Sequence, residues 1–584
     1  MVISRLNEIQ ERFGYIPARE LNELAKELGK PVHELHGVAS FYPFYRLKPP
    51  PRATLHVCGD VSCHMKGAPK LKAQLEAMAA ASGGQVEVKH CSCLGQCDGA
   101  PAMLINDAVH ARVSMDELVA SCEAAVTGKE VPHRHYEPAK GPFKTDPYAR
   151  EQERYGALKA LVASGDIGGA GGGGAGGAAV LAKLTAANLK GMGGAGFPTA
   201  RKWDTVRGQP PGQKYIICNA DECEVGTFKD REILKNLPYL VIEAMTIAGL
   251  VTGADTGFIY CRHEYHEQIH ILQDELKKAR LLGLVGDNVL GTGRKFDLTV
   301  FVSPGGYVQG EETALIEAIE GHRGQPRNKA VDVGFDRGLI VYKGGLWGKP
   351  TVVNNVETFA YVPLILSKGP EHFKGLGVNG SEGLKWIGVS GDVRNPGVFE
   401  VPMGTTYEHA INVLAGGPPP GRTLKAFAPS GPSFGLLPAK MMNLKMDWGT
   451  RVKPVGAILG SGAVVAVDDT RNMLDLALNF TRFYRNESCG KCVPCRVGSQ
   501  KLVDLIFGLL QGTATERDLE AVPRLADTMV LTSICGLGQV VPSPILSLME
   551  FFPEDIKAAT DKGARRAAEL AGPAVQLTSN GRHL

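Results

Sequence analysis

The sequence predicts an α/β multidomain protein, and three observations carry that prediction. Its 584 residues are too many for one ordinary core and divide into several domains of roughly 100–200 residues each. Short apolar, β-rich runs alternate with helical segments through the middle of the chain, as a parallel α/β sheet requires. Helical periodicity dominates both ends instead, and a glycine run interrupts all pattern before residue 180.

Residues 1–48 read as a helical lead-in: Pro17 and Gly29 bracket "ARELNELAKELG", where Leu21, Leu24 and Leu28 recur at i, i+3 and i+7. In 49–129, "ATLHVCGDVSC" is a strand, "APKLKAQLEAMAAA" a helix and "QVEVKHC" a second strand. That β-α-β order with cysteines at strand ends points to a thioredoxin-like unit. Residues 130–179 read as a linker ending in "GGAGGGGAGGAA", too glycine-rich to pack. Residues 180–375 form the α/β domain, with "YIICNADE", "TGFIYCR" and "LTVFVSP" as strands. In 376–466, "WIGVSG", "GVFEVPMG" and "GAVVAV" are strand-like runs between Pro/Gly turns, as in a β-grasp-like module. A helical bundle follows over 467–560, and 561–584 read as a polar tail.

The formal net charge of +3, from 64 basic and 61 acidic side chains, leaves no electrostatic footprint for nucleic acid or anionic lipid. The opening "MVISRLNEIQERFGYIP" is charged and amphipathic, and no uncharged apolar run reaches the ~20 residues that span a bilayer. The protein therefore reads as cytoplasmic, with no membrane partner. In that setting its 13 cysteines read as metal ligands before disulfides, and the odd count leaves one thiol over in any all-disulfide scheme.

The cysteines fall into two sets. Cys58 and Cys63, then Cys91, Cys93 and Cys97 in "CSCLGQC", give wide-gapped pairs that suit a 2Fe-2S rhomb better than the tight knuckles of zinc. Five thiols compete for four places, and spacing alone does not choose between Cys91 and Cys93. In "ESCGKCVPCR", Cys489, Cys492 and Cys495 lie on one loop, and Cys535 in "SICGLGQ" is a remote fourth. Three ligands on a tight loop plus a distant one suit a 4Fe-4S cube, whose iron corners each take one thiolate; structural zinc is the alternative. Lys491 and Arg496 beside it would offset the negative charge of such a cluster.

Between the two sets, "KGMGGAGFPTARKW" offers glycines for close approach to a phosphate, although the pattern is neither a P-loop nor a dinucleotide fingerprint. Acid-rich "CNADECEVGTFKDR" and "GGYVQGEETALIEAIEGHRGQPR", with "GKPTVVNNVET", interrupt apolar strands and suit hydrogen bonds to ribityl or ribose hydroxyls.

"GYIP", "GVASFYPFY", "CGDVSCH" and "CLGQCDGAP" resemble the thioredoxin-like 2Fe-2S subunit of respiratory complex I and its soluble relatives. The glycine, acidic and asparagine motifs with the cysteine triplet resemble the FMN- and NADH-binding flavoprotein subunit of complex I, NAD-reducing hydrogenases and NAD-dependent formate dehydrogenases. The chain thus looks like a fusion of two diaphorase subunits, and the resemblance makes 376–466 an SLBB domain. It implies 2Fe-2S ligation by Cys58, Cys63, Cys93 and Cys97, and 4Fe-4S ligation by Cys489, Cys492, Cys495 and Cys535. It places Gly191, Gly193, Gly194 and Lys202 at the FMN phosphate. Asn219, Asp221, Glu222, Tyr307, Gly310, Glu311, Asn354 and Asn355 would line the flavin and its ribityl chain. Phe197 would stack on the nicotinamide nucleotide, with Glu224, Glu312 and Lys329 in contact with NADH.

The chain departs from the family pattern at Met192, commonly Arg, at Val225, commonly Pro, and at Thr205, where an adenine-side aromatic is missing. A longer link follows Lys329, in which Phe335 or Tyr342 could supply the stacking ring. FMN accepts a hydride and releases single electrons, so no side chain is assigned a catalytic role. The resemblance implies an NADH dehydrogenase (diaphorase)-type subunit. Electrons would come from a catalytic dehydrogenase subunit with its own iron-sulfur clusters and pass through the 4Fe-4S site and FMN to NAD+, with 2Fe-2S as an accessory store. The fused architecture with "CGLGQ" resembles soluble formate dehydrogenase and hydrogenase modules more than complex I; a formate dehydrogenase is the favoured reading, without a residue that decides it, and an NAD-reducing hydrogenase or other complex I-like dehydrogenase is the alternative. A non-enzymatic electron-transfer scaffold is the rival from another class.

Overall fold

A computed structural model describes residues 2–135, 143–165, 167, 175–328, 342 and 344–571. The lead-in forms helices Val2–Phe13, Ala18–Glu27 and Val32–Ala39, and Pro17 and Pro31 precede the second and third, where a missing N–H costs nothing. Val2, Ile3, Leu6, Leu21 and Leu24 are buried in the same apolar core as the α/β domain. Tyr42 O–H donates to the His322 carbonyl at 2.7 Å, so the lead-in is tied to a region far along the chain.

Strands β1 (Ala53–Cys58), β2 (Val86–Cys91), β3 (Ala102–Ile105) and β4 (Ala108–Ala111) form a sheet of order β2-β1-β3-β4. β1 and β2 run parallel, linked by helix Ala68–Ala80, and their register sets Cys58 opposite Cys91 at the strand ends. The cysteine loops therefore leave the sheet from one edge.

The α/β domain carries β5 (Tyr215–Ala220), β6 (Thr256–Arg262), β7 (Asp297–Ser303) and β8 (Thr351–Asn355), all parallel, in the order β7-β6-β5-β8. The order reverses at β5, whose neighbours are β6 on one side and β8 on the other. In open parallel sheets the crevice at the carboxyl ends beside such a reversal is where ligands bind. Helices Pro238–Thr252 and Val356–Lys368 cover the sheet, and the first is buried along its whole length. That burial explains its unbroken apolar run. Among the described residues no single helix is long and apolar enough to cross a membrane.

The stretch read as a linker is only partly one. Helices Gly156–Ala163 and Ala175–Ala186 lie within it or begin there. Trp386 Nε1 donates to Thr145 Oγ1 at 2.9 Å, Tyr148 O–H donates to Glu243 at 2.9 Å, and Tyr155 O–H donates to Glu275 at 2.8 Å. These side chains staple residues 143–165 to the α/β domain and to the module after it. Most of the glycine run lies outside the described residues.

The β-rich module contains β9 (Leu384–Gly391), β10 (Gly397–Pro402), β11 (Leu424–Pro432), β12 (Leu437–Pro438), the small hairpin β13 (Arg451–Val452) and β14 (Gly456–Ala457), and β15 (Ala463–Asp468). Its main sheet, β10-β9-β15-β11-β12, is mixed, with β9 and β15 parallel at the centre. Helices Met473–Glu487, Val493–Gln511, Val522–Thr532, Gly536–Val540, Ser543–Phe551 and Pro553–Ala571 follow. The last helix runs beyond residue 560, where the sequence suggested a tail; its Glu554 and Asp555 favour a helix N-terminus.

Candidate functional site

The first thiol set is built at the edge of the β1–β4 sheet. Cys58 ends β1, Cys63 sits in helix Val61–Met65, and Cys93 and Cys97 lie in the loop after β2. All four are buried, and the Cys93 and Cys97 sulfurs are 3.4 Å apart. Hydrogen bonds from Cys58 and Cys97, followed by the nearby Arg262 guanidinium, hold the Cys93 thiol well below its ordinary range. The Cys63 and Cys93 thiols, with burial, push the Cys58 thiol well above its ordinary range. Cys91 is different: it ends β2, is half-buried, and burial pushes its thiol up.

Two guanidinium groups of the α/β domain reach into this loop. Arg231 donates to the Gly95 carbonyl at 2.6 Å and pairs with Asp98 at 2.7 Å. Arg262 donates to the Cys93 carbonyl at 2.7 Å and pairs with Glu264 at 2.8 Å. Both are buried, and both carry a carboxylate partner, as a charge out of water must.

The second thiol set forms between helices. Helix Met473–Glu487 ends at Ser488, and Cys492 precedes helix Val493–Gln511, whose second residue is Pro494. Cys535 is the N-cap of helix Gly536–Val540. Cys489, Cys492, Cys495 and Cys535 line one small cavity with Val308, Pro326, Lys491 and Leu537. Burial pushes the Cys495 thiol up to about 11 and Cys535 up to about 12. The backbone leaves no room beside them: a Cβ on Gly538 would lie 2.9 Å from that of Cys495. Buried Ser533 Oγ has no hydrogen-bond partner among the described residues. Four convergent thiols in a pocket otherwise lined by apolar residues and Lys491 fit a thiolate-ligated cluster.

Between the two sets lies a cavity of about 370 Å³ at the carboxyl ends of β5 and β8. Gly193, Gly194, Asn219, Asp221, Glu222, Glu224, Tyr307, Gly310, Glu311 and Asn355 line it. Asn219 Nδ2 donates to the Gly310 carbonyl at 2.8 Å, joining β5 to the "GEET" turn. Glu311 caps helix Glu312–Glu320, accepting from the Thr313 and Ala314 amides. Glu222 accepts from the Asp230 and Arg231 amides at 2.9 and 3.1 Å and from Tyr265 O–H at 2.9 Å. Burial raises Asp221 and Glu222 to about 7 each. Glu224 is raised by burial too and accepts from Tyr307 O–H at 2.5 Å and from Ser433. A Cβ on Gly193 would meet that of Asn355 at 3.1 Å, and Gly194 has φ +124°. Glycine therefore brings bare backbone to the mouth of the crevice. A cavity of this size with a backbone cradle at one end and amide and carboxyl groups along it fits a flavin mononucleotide.

Several residues expected at the site stand outside this lining. Asn355 faces the cavity, and strand alternation turns Asn354 away, so that its Oδ1 accepts from Trp203 Nε1 at 3.0 Å. The Gly191 amide donates to the Phe197 carbonyl at 2.8 Å and closes the glycine loop on itself. Lys202 Nζ donates to the Val353 carbonyl at 3.1 Å and lies 5.8 Å from the Phe197 ring and 5.5 Å from that of Tyr342. The Phe197 and Tyr342 rings are 6.3 Å apart. Glu312, first residue of its helix, is outside the lining as well, and Lys329 and Phe335 lie outside the described residues.

Other lining groups were not singled out from the sequence. Lys229, in "GTFKDR", is buried and pairs with Asp230 at 2.6 Å and Glu357 at 2.9 Å. Ser430, Ser433 and Ser461 come from the β-rich module. Glu487, just before the triplet, lines a third cavity instead, and accepts from Ser92 of the first cysteine loop and from the Tyr307 amide at 2.7 Å. Cys535 and Leu537 line both the flavin-sized cavity and the thiol cavity. On the opposite side, Cys223 and Tyr307 are shared with that third cavity, which reaches Cys91, Ser92 and Cys93.

Family models match along the chain: the thioredoxin-like 2Fe-2S ferredoxin over residues 1–124, the Nuo51 FMN-binding domain over 184–364, the SLBB domain over 387–437, and the NADH-ubiquinone oxidoreductase-F iron-sulfur binding region over 475–559. The NADP-reducing hydrogenase subunit HndC of Solidesulfovibrio fructosivorans is 40% identical over 375 residues, covering 64% of this chain and 74% of that protein. An NADH-quinone oxidoreductase chain of Aquifex aeolicus is 42% identical over 380 residues, covering 65% and 85%. The NAD-reducing hydrogenase HoxS subunit alpha of Cupriavidus necator is 31% identical over 565 residues, covering 95% and 91%. A crystal structure of an NAD+-reducing [NiFe]-hydrogenase in the H2-reduced state superposes with a TM-score of 0.83 at 30% identity, over 98% of this chain and 96% of that one.

Proposed function

The chain belongs to the family of FMN- and iron-sulfur-carrying NADH dehydrogenase-type subunits of complex I and NAD-reducing hydrogenases, and from that premise we propose which residues do the work and which partner it serves. Cys58, Cys63, Cys93 and Cys97 hold the 2Fe-2S cluster, and Cys489, Cys492, Cys495 and Cys535 hold the 4Fe-4S cluster. Gly193 and Gly194 receive the FMN phosphate, while Asn219, Asp221, Glu222, Tyr307, Gly310, Glu311 and Asn355 surround the rest. The observation that carries this reading is the position of the flavin-sized cavity between the thiol sets, with Cys535 in the wall of both cavities.

FMN, when bound, supplies the exchange of a two-electron hydride for single electrons. The chain's own groups position and insulate. Glu222 is held by two backbone amides and Tyr265, so it stays fixed at the wall. Asn219 ties β5 to the "GEET" turn and keeps the cavity width constant. Glu224, kept in place by Tyr307 and Ser433, presents a carboxyl at the nucleotide side. Phe197, partly exposed, is the ring against which a nicotinamide nucleotide stacks, and the buried Tyr342 backs it from behind.

The fused architecture and the "CGLGQ" motif suit a formate dehydrogenase or a hydrogenase module alike, and of the two we take the partner to be a catalytic dehydrogenase subunit that oxidises formate and delivers electrons to the 4Fe-4S side. One observation favours hydrogen as the donor instead: the likeness to the HoxS alpha subunit runs nearly end to end. Two measurements test the proposal. Purified protein replete in FMN and iron reduces ferricyanide or viologen with NADH, and absence of that activity sinks the site assignment. The complex isolated with its partner reduces NAD+ with formate; reduction with H2 and not formate replaces the formate reading by the hydrogenase one.

A further inference from the structure

Arg262 is the last residue of β6 and among the largest side chains in the protein to be fully buried. Its Nε and one terminal nitrogen face Glu264, at 3.0 and 2.8 Å. Two further hydrogens go to two backbone carbonyls that belong to different sites. One terminal nitrogen donates to Cys93 in the 2Fe-2S loop at 2.7 Å, and the other donates to Glu222 in the wall of the flavin-sized cavity. A single planar guanidinium thus touches both loops at once.

We infer that Arg262 is a positioning residue that sets the reduction potential of the cluster held by Cys58, Cys63, Cys93 and Cys97, by fixing its loop against the flavin wall and placing positive charge beside it. Reduction adds one electron to a group already negative from its thiolates. The Glu264 carboxylate offsets much of the Arg262 charge, so the reduced form is favoured by the hydrogen bond to the Cys93 carbonyl and by the cationic end of the pair lying toward the ligating loop, in low-dielectric surroundings. Arg231 acts on the next turn of the same loop instead, donating to Gly95, Gln96 and Asp98. The two arginines therefore have separable roles: both grip the loop, and Arg262 bridges it to the Glu222 carbonyl on the flavin side. Only a forked donor makes that bridge, since an ammonium is a compact point charge with no fixed fork.

The inference rests on the 2Fe-2S assignment above, and the experiment separates the two. The complete protein is poised at fixed NADH/NAD+ ratios, and the 2Fe-2S and 4Fe-4S signals are followed by electron paramagnetic resonance. In Arg262→Gln the ratio of reduced to oxidised 2Fe-2S falls about tenfold, the equivalent of one charge-assisted hydrogen bond, with the 4Fe-4S titration unmoved. Arg262→Lys gives a smaller fall in the same direction. Arg231→Gln weakens cluster retention more than it moves the titration. A wild-type protein with no reducible 2Fe-2S signal sinks the assignment itself. A wild-type signal whose titration is unchanged in both Arg262 variants overturns the inference, and so does loss of the cluster from Arg262→Lys, which would make the side chain a structural clamp.

Discussion

The two thiol sets use the same ligand chemistry in opposite surroundings. Cys58, Cys63, Cys93 and Cys97 are all buried, whereas in the C-terminal set Cys495 is buried and Cys489, Cys492 and Cys535 are partly exposed. The first set is enclosed by other domains, through Arg231, Arg262 and Glu487. The second is enclosed by its own helices and by Val308 and Pro326 of the α/β domain, and Val493 and Val497 stand exposed beside it. The difference matches the proposed roles: an interior cluster serves as a store, and a cluster near the surface can exchange electrons with a partner. Electron transfer weakens with distance, so the accessible set is the one a second subunit can approach.

Removing single ligands tests the comparison most severely. Cys535→Ala abolishes the 4Fe-4S signal while FMN and the 2Fe-2S signal remain; a retained cube would refute the remote ligand. Cys93→Ala erases the 2Fe-2S signal, and Cys91→Ala leaves it unchanged, because Cys91 ends a strand and is half-buried where Cys58, Cys63, Cys93 and Cys97 are buried. Metal removal tests the enclosure itself. Under an iron chelator, with both centres followed by their spectra, the 4Fe-4S signal decays several-fold faster than the 2Fe-2S signal, because Cys489, Cys492 and Cys535 are partly exposed where Cys58, Cys63, Cys93 and Cys97 are buried. Equal decay would show that the buried thiols gain no protection from the domains clamped over them.

Much of this was legible in the sequence where one chain segment carries one feature. Cysteine spacing, the β-α-β order around Cys58 and Cys91, and strands such as "YIICNADE" depend on local periodicity, and the structure forms those strands. Features that need two distant segments were not legible. Ser433 and Ser461 reach the flavin-sized cavity only because the β-rich module folds over it. Glu487 looks like an ordinary helix end until Ser92 and Tyr307 close on it. Asn354 and Asn355 read as a pair in "GKPTVVNNVET", but a strand turns neighbours to opposite faces, so Asn354 meets Trp203 instead. Residues 143–165 looked unstructured beside the glycine run, since the partners that hold them, Glu243, Glu275 and Trp386, lie far away in the sequence.

The smallest expected effect separates close packing at the second thiol set from ligation itself. Gly536 and Gly538 flank Leu537 in the short helix after Cys535, and Gly536 lines the flavin-sized cavity. A Cβ on Gly536 would meet nothing within 4 Å, whereas one on Gly538 would lie 2.9 Å from the Cys495 Cβ and press on Ser533. In the flavin-free protein Gly536→Ala should therefore be neutral or stabilising, by up to about 1 kcal/mol from helix propensity. Gly538→Ala has the same propensity gain but must displace a ligand-bearing side chain, at a cost of roughly 1–3 kcal/mol. Thermal unfolding of the two variants, with iron content measured alongside, gives the comparison. A Gly538→Ala protein that keeps wild-type stability and a full 4Fe-4S signal would show that the helix can shift, and that the fit around Cys495 is looser than the packing implies. If instead Gly538→Ala loses 4Fe-4S content while its 2Fe-2S signal stays whole, the two centres are assembled by independent packing, and the more exposed one depends on a single backbone contact.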